Sequence, residues 1–573
     1  MEMIFKDETK IKIYKQIQNN LCLLDRHSSD EHIINLINQI PENFFTQKDD
    51  LKMICALFSN YGRIKSHPYK QNTIKLFEKI MSPIKKYLQD ESDFFWMIFG
   101  DVFYFKLWMY EEGLISIEHI IHTIQSRREP EATEYFLPEI IENAYEIYEK
   151  EISFQFKTAH SKKWINEFKE LRRKHFKWMK ESNDFNDPLY KEIEKDPLRL
   201  SIKTDDIENF QRILSNTNMS INSKIRESIL ENYLISPKEM KIVDYVIQYN
   251  ASKIFKFLII NDVEMTDNLI TGSFSNNNYE ILHFIESKFP STFGKYSLFG
   301  AISYWSNDLT EYALNNYNFE YLVKEGAKIE DKESLLMIIG QTFYRYNFDF
   351  LESILLPFLR KNSEFLNENI YDIIPNTIKD MTCFFFREFM KHPMIDINHH
   401  YEEDDGFTLL NYAVKKNNTK AVEILLENRN LDINNYGFKD FSTFQFGCIS
   451  FANMKIIRMI CNHPNFNVKM TDGRNRVTAF PLAVNKGNFY VVKYIMDTFT
   501  DFNTCSYIVL FFNCLANRNL FTLKILLDFY LNNIEKVECS RLTNQIRNAF
   551  HTSITYREEF INDFSEIFDE VDK

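Results

Sequence analysis

The chain has 573 residues, 45% of them hydrophobic, and 81 acidic against 68 basic side chains give a net charge of −13. That is the composition of a globular protein, and its sign repels polyphosphate, so no nucleic-acid partner is expected. Glycine is scarce and builds neither a G-x-G-x-x-G nor a G-x-x-x-x-G-K-[ST] cradle, so no cofactor is expected; eight cysteines without a C-x-x-C pair argue against a zinc knuckle or disulfide framework and fit a reducing, cytoplasmic setting.

The first residues, MEMIFKDETK, carry Glu2, Lys6 and Asp7 and no apolar core, so they do not read as a signal peptide. Residues 1–195 read as an N-terminal helical domain punctuated by Pro41, Pro68, Pro83, Pro130 and Pro138. Phe94, Phe95, Trp96, Phe99, Phe103, Tyr104, Phe105 and Trp108 are expected to form its core. The apolar stretch that holds them is broken by Asp101 and Lys106, which argues for a buried helix rather than a membrane span. Glu118, His119 and His122 share a predicted helix, but no motif supplies the further ligand that a zinc site needs.

The stretch SKKWINEFKELRRKHFKWMK (161–180) reads as a basic connecting helix. Trp164, Phe168 and Trp178 fall on one face, and Arg172 and Arg173 join the lysines around the rest. Such a helix can dock on its own chain with its charges in water, or lie on an anionic membrane or in an acidic groove. SNDFNDP (182–188) then reads as a linker.

Beyond it the helices come in pairs. ASKIFKFLI (251–259), NYEILHFIE (278–286), NDLTEYAL (307–314) and NFDFLESILL (347–356) have the spacing of second helices. Between 400 and 500 the pattern acquires a step of 35 residues. Thr408, Thr443 and Thr478 fall in one column, Ala413, Cys448 and Ala483 in a second, Asn418, Asn453 and Asn488 in a third, and Val422, Ile457 and Val492 in a fourth. The hydroxyls are placed to cap first helices, and the small residues to let helices approach closely. The Asn column lies at the turn between the helices, and the apolar column lies on the buried face of the second helix.

On Asp405-Gly406, Thr408, Leu410, Ala413, Leu425-Leu426 and Asp432-Ile433-Asn434, this unit resembles an ankyrin repeat. The family's proline is replaced by Leu409, Phe444 or Ala479, and its histidine by Asn411, Phe446 or Pro481, so the Thr–His hydrogen bond of that family is expected to be missing. Residues 200–320, with DDIENFQRIL and the K-F-L and N-x-E-I phrases, resemble an uncharacterised domain that precedes ankyrin repeats in expanded families of parasitic protists.

The expected architecture is all-α: the N-terminal helical domain, then an α-solenoid of helix pairs. Residues 200–320 would hold the associated domain or degenerate repeats, 321–535 ankyrin-like repeats, and 536–573 capping helices with an acidic tail. The resemblance implies a non-enzymatic scaffold that binds unidentified protein partners through loop tips. His400, Tyr401, Tyr436, Phe438, Lys439, Arg474, Asn475 and Arg476 are the candidates, with the basic helix as an alternative membrane contact. No G-x-S-x-G or H-E-x-x-H signature marks an enzyme, and His399-His400 with the acids that follow read as a solvated loop.

Overall fold

The computed structural model describes residues 8–144 and 162–533, apart from 25–27, 65–69, 89–90, 100–102, 128–129, 183, 227–229, 231–238, parts of 265–277 and 318–331, 381, 403–404, 475, 500–506 and 518. Asn475 and the expected capping segment 536–573 lie outside the described residues.

The structure is all-α, built on helix pairs, with, among the described residues, one short antiparallel ribbon in which Lys224–Arg226 faces Glu239–Lys241 and Ile225 lies opposite Met240. Local chemistry explains the pairs. In Ile207–Thr217 the Asp206 carboxylate accepts from the Asn209 amide, Phe210 and Leu214 face the core, and Asn218 ends the helix at φ 52°. A polar cap, an apolar stripe and a left-handed stop define the element.

One closure recurs down the chain. In six pairs the residue that opens the second helix sends its amide back five residues into the first: Asp206 to Ser201, Ala251 to Val246, Ser306 to Ala301, Asn347 to Thr342, Asn418 to Ala413 and Asn488 to Ala483, at 2.8–3.1 Å. In each case the residue just before is left-handed: Asp205, Asn250, Trp305, Tyr346, Asn417 or Gly487. This bond satisfies a carbonyl that the first helix would otherwise leave open. The same turn thus repeats from 201 to 488, well outside the stretch where the sequence columns are regular.

The chain forms two compact units, each discontinuous in sequence: 1–116 with 161–395, and 117–160 with 396–573. In the first, the Glu8–Leu23 helix packs on Phe348–Phe350 and the π-turn Leu351–Leu355. Buried Gln18 donates to Asn347 Oδ1 at 3.2 Å and accepts from the amides of Phe348 and Asp349 at 2.7 and 3.2 Å. The beginning of the chain therefore shares a core with a helix pair far downstream. Phe77, Phe95, Phe99 and Phe105 are buried together there, with Phe99 and Phe105 stacked at 5.0 Å. Lys106, read in the sequence as an interruption, is buried with its Nζ 4.0 Å above the Trp96 ring.

Among its described residues, the second unit holds four consecutive helix pairs: Leu409–Lys415 with Thr419–Leu426, Thr443–Ser450 with Met454–Cys461, Ala479–Lys486 with Phe489–Thr498, and Tyr507–Ala516 with Leu520–Asn533. Ala413, Cys448 and Ala483 are completely buried, as close helix approach requires. The helices Ile117–Arg127 and Pro130–Asn143 belong to this unit. Among the described residues, no helix is long and apolar enough to cross a membrane.

Candidate functional site: the hairpin tips

Ahead of each of the first three helix pairs of the second unit the chain makes a tight hairpin. The first closes where the Tyr401 amide donates to the Phe407 carbonyl at 2.8 Å, the second where Gly437 donates to Phe441 at 2.8 Å, and the third where Asp472 donates to Val477 at 2.9 Å. The tips are also joined to one another. The Lys439 amide donates to the Asp405 carbonyl at 3.1 Å, and the Gly473 amide to the Asp440 carbonyl at 2.9 Å. Arg474 Nε reaches Asp440 Oδ2 at 2.6 Å, and Lys439 Nζ approaches Asp405 at 3.9 Å. The outcome is a row of tips held along one edge.

The structure brings the described candidates together on that row and sorts them. His400, Tyr436, Lys439, Arg474 and Arg476 are exposed, whereas Tyr401 and Phe438 are half-buried. Phe438 lies against Phe407 at 4.8 Å and Phe446 at 5.4 Å, so it anchors its tip. Tyr401 sits edge-on to His399 and Tyr412. His400 shares a hydrogen bond with Asn435 Nδ2 at 3.0 Å. Rigid hairpins carrying one tyrosine and several cations can present fixed hydrogen-bond donors and a small aromatic face to another protein.

Below the tips, polar side chains bond across repeat boundaries. Buried Asn411 accepts from the amide of Thr408 at 3.0 Å and from its hydroxyl at 2.9 Å, and its Nδ2 donates to Thr443 Oγ1 of the next repeat at 3.3 Å. Gln445 does the same one repeat on: it accepts from the Ser442 amide at 2.8 Å and donates to the carbonyls of Val477 and Met470 at 2.8 and 3.1 Å. The bond expected to be lost with the family's histidine is thus replaced by amides. Asn398 accepts from the Asp432 amide at 2.9 Å and donates to the Asn430 carbonyl at 2.7 Å; Asn434 repeats both bonds with Asn467 at 3.1 Å and Asn465 at 2.6 Å. Only the recurrence of D-I-N in HPMIDIN and NLDIN hinted at this ladder in the sequence.

The Thr column is corrected in detail, and the Asn column gains detail. Thr408 caps its helix, but the next cap is Ser442, with Thr443 the first helical residue; Thr478 holds the cap position without a side-chain cap bond. Asn418 and Asn453 cap their second helices, at 3.1 and 2.8 Å, whereas Asn488 turns its Nδ2 to the Cys448 carbonyl at 3.1 Å instead.

The basic helix spans Lys162–Glu181. Phe168, His175 and Trp178 are buried, Trp164 is half-buried, and Trp178 lies 4.3 Å from the Tyr190 ring with its Nε1 donating to Asp184 O at 2.9 Å. Arg172, read in the sequence as part of the charged surround, is also buried, its guanidinium 5.2 Å from the Phe168 ring; Arg173 is exposed. Lys163, Lys174, Lys177 and Lys180 pair with Glu167, Glu192, Glu181 and Glu78. Most of the apolar face that a membrane contact would need is packed inside the protein.

The model of the ankyrin repeat family matches residues 405–436, the span from the first tip through one helix pair to the second tip. No curated protein matches the chain.

Proposed function

We propose that this chain is a non-enzymatic, cytoplasmic scaffold or adaptor that binds another protein through the row of hairpin tips in its ankyrin-like repeats. The observation that carries the reading is the tip-to-tip stitching of Asp405 to Lys439 and Asp440 to Gly473, which fixes exposed Tyr436, Arg474 and Arg476 relative to one another. A contact surface held rigid before binding avoids much of the ordering cost of association. Residues 200–320 enter the same reading as the associated domain that they resemble, or as degenerate repeats.

Affinity capture with the full-length chain, compared with a Tyr436→Ala/Arg474→Ala/Arg476→Ala variant, tests it. The variant is expected to lose a partner that the wild type retains, with an unchanged helical spectrum. Retention of every captured protein would reject the tips. Phe438 is left intact in this variant because its ring packs on Phe407 and Phe446.

A further inference from the structure

A second positively charged stretch lies away from the helix that the sequence singles out. Between Met454 and Thr498 there are seven Lys and Arg against Asp472 and Asp497. All seven basic side chains are exposed, while Asp472 is buried. Arg474 is occupied by Asp440, and Lys455 lies 3.8 Å from Glu423, which already holds Lys420 at 2.9 Å. Among the described residues, Arg458, Arg476, Lys486 and Lys493 have no carboxylate at ion-pair distance, in contrast to the paired lysines of Lys162–Glu181.

The cations on the second helices are in register. Arg458 and Lys493 each lie five residues after the opening asparagines Asn453 and Asn488, on helices that pack side by side. Lys455 and Tyr490 each lie two residues after the same asparagines, and the Arg458 guanidinium stands 5.9 Å from the Tyr494 ring. The stripe therefore combines three cations with two tyrosines. One carboxylate already borders it: Ile117–Arg127, in the same unit, brings Glu118 close enough to add to the burial that pushes the Tyr490 phenol up to about 12.

We infer that the outer faces of Met454–Cys461 and Phe489–Thr498 form an electropositive docking surface for an acidic polypeptide segment. This surface is separate from the tips and shares with the preceding reading only the premise that the repeats are the interacting part. Carboxylates set along a chain match cations stacked at successive repeats, and such pairs add both attraction and orientation. A polyphosphate would meet the same cations and is separated from a polypeptide by the test.

The test uses the full-length protein and fluorescein-labelled poly-glutamate, read by fluorescence anisotropy. Saturable binding at low salt is expected, weakening as salt rises. Lys455→Glu/Arg458→Glu/Lys493→Glu should weaken it at least about tenfold, and the matching triple glutamine variant by less. Lys163→Glu/Lys169→Glu/Arg173→Glu on the other basic helix should bind as wild type, and so should Tyr436→Ala at the tips; circular dichroism checks that each variant is folded. No binding by the wild type, or wild-type binding by the 455/458/493 variants, overturns the inference. Preference for polyuridylate or phosphatidylserine vesicles over poly-glutamate overturns the assignment to a polypeptide.

Discussion

Asn411 Nδ2 donates to Thr443 Oγ1 across the boundary between two repeats, at 3.3 Å, while Asn411 Oδ1 accepts from both the amide and the hydroxyl of Thr408. One buried amide thus caps its own repeat and joins the next. Gly437 lies against it, and a Cβ at that position would overlap Asn411 Oδ1. Asn411→Ala is expected to cost about 1–3 kcal/mol, since it leaves buried partners unsatisfied. Gly437→Ala should cost a similar amount through overpacking. The Asn411→Ala/Gly437→Ala double variant should be more stable than the sum of the two losses, because the first change empties the space that the second fills. Urea unfolding of the three variants measures this, and strict additivity would rule out the coupling.

The asparagine ladder offers a milder test. Asn434 is half-exposed and makes two cross-repeat bonds, to the Asn467 amide and the Asn465 carbonyl. Asn434→Ala should lower stability by about 1 kcal/mol. Amide exchange should rise at Asn467 in particular, which a loss of local turn structure alone would not produce.

The small-residue column sets a packing limit. Ala483 is fully buried where Ala479–Lys486 meets the neighbouring helices. Ala483→Leu is expected to destabilise the second unit by about 1–3 kcal/mol. Conversion of exposed Lys486 to leucine serves as the control and should stay within about 0.5 kcal/mol of wild type.

A buried ion cluster in the first unit predicts a pH dependence. Glu194 accepts from Lys203 Nζ at 2.7 Å and from Arg199 at 2.8 Å. Burial pushes the carboxyl up, but Lys203 and Arg199 outweigh it and hold the group at about 2. A depressed carboxyl stabilises the fold above its unfolded value of about 4.3. That contribution is lost as pH falls from there towards 2. Glu194→Gln should therefore cost about 3 kcal/mol at neutral pH, from the uncompensated cations. The gap to wild type should narrow below about pH 4, in urea titrations across that range; a gap of constant size would contradict the assignment.

How much of this was legible in the sequence depended on what each signal counts. The columns of Ala413, Cys448 and Ala483 were visible because helix contact tolerates only small residues there. The cap column slipped by one because Thr443 was counted along the chain, whereas hydrogen bonding starts the helix at Ser442; Phe451, left-handed at φ 56°, belongs to the longer turn that brings the next cap back to Asn453. The repeats before 400 were harder to read for a related reason. In two of them the left-handed turn position is filled by Trp305 and Tyr346, residues that give no hint of that conformation, whereas Asp205, Asn250, Asn417 and Gly487 do. The electropositive stripe was missed because its cations come from separate repeats, and the pairing of Lys162–Glu181 with glutamates elsewhere in the first unit is invisible in one dimension.

The central claim is that side-chain bonds across repeat boundaries make neighbouring helix pairs cooperate as one array. Hydrogen exchange followed by mass spectrometry on full-length Asn411→Ala tests it most directly. The account predicts faster exchange at 409–426 and also across the neighbouring pair at 443–461. Faster exchange confined to 408–415, with 443–461 protected as in the wild type, would contradict it.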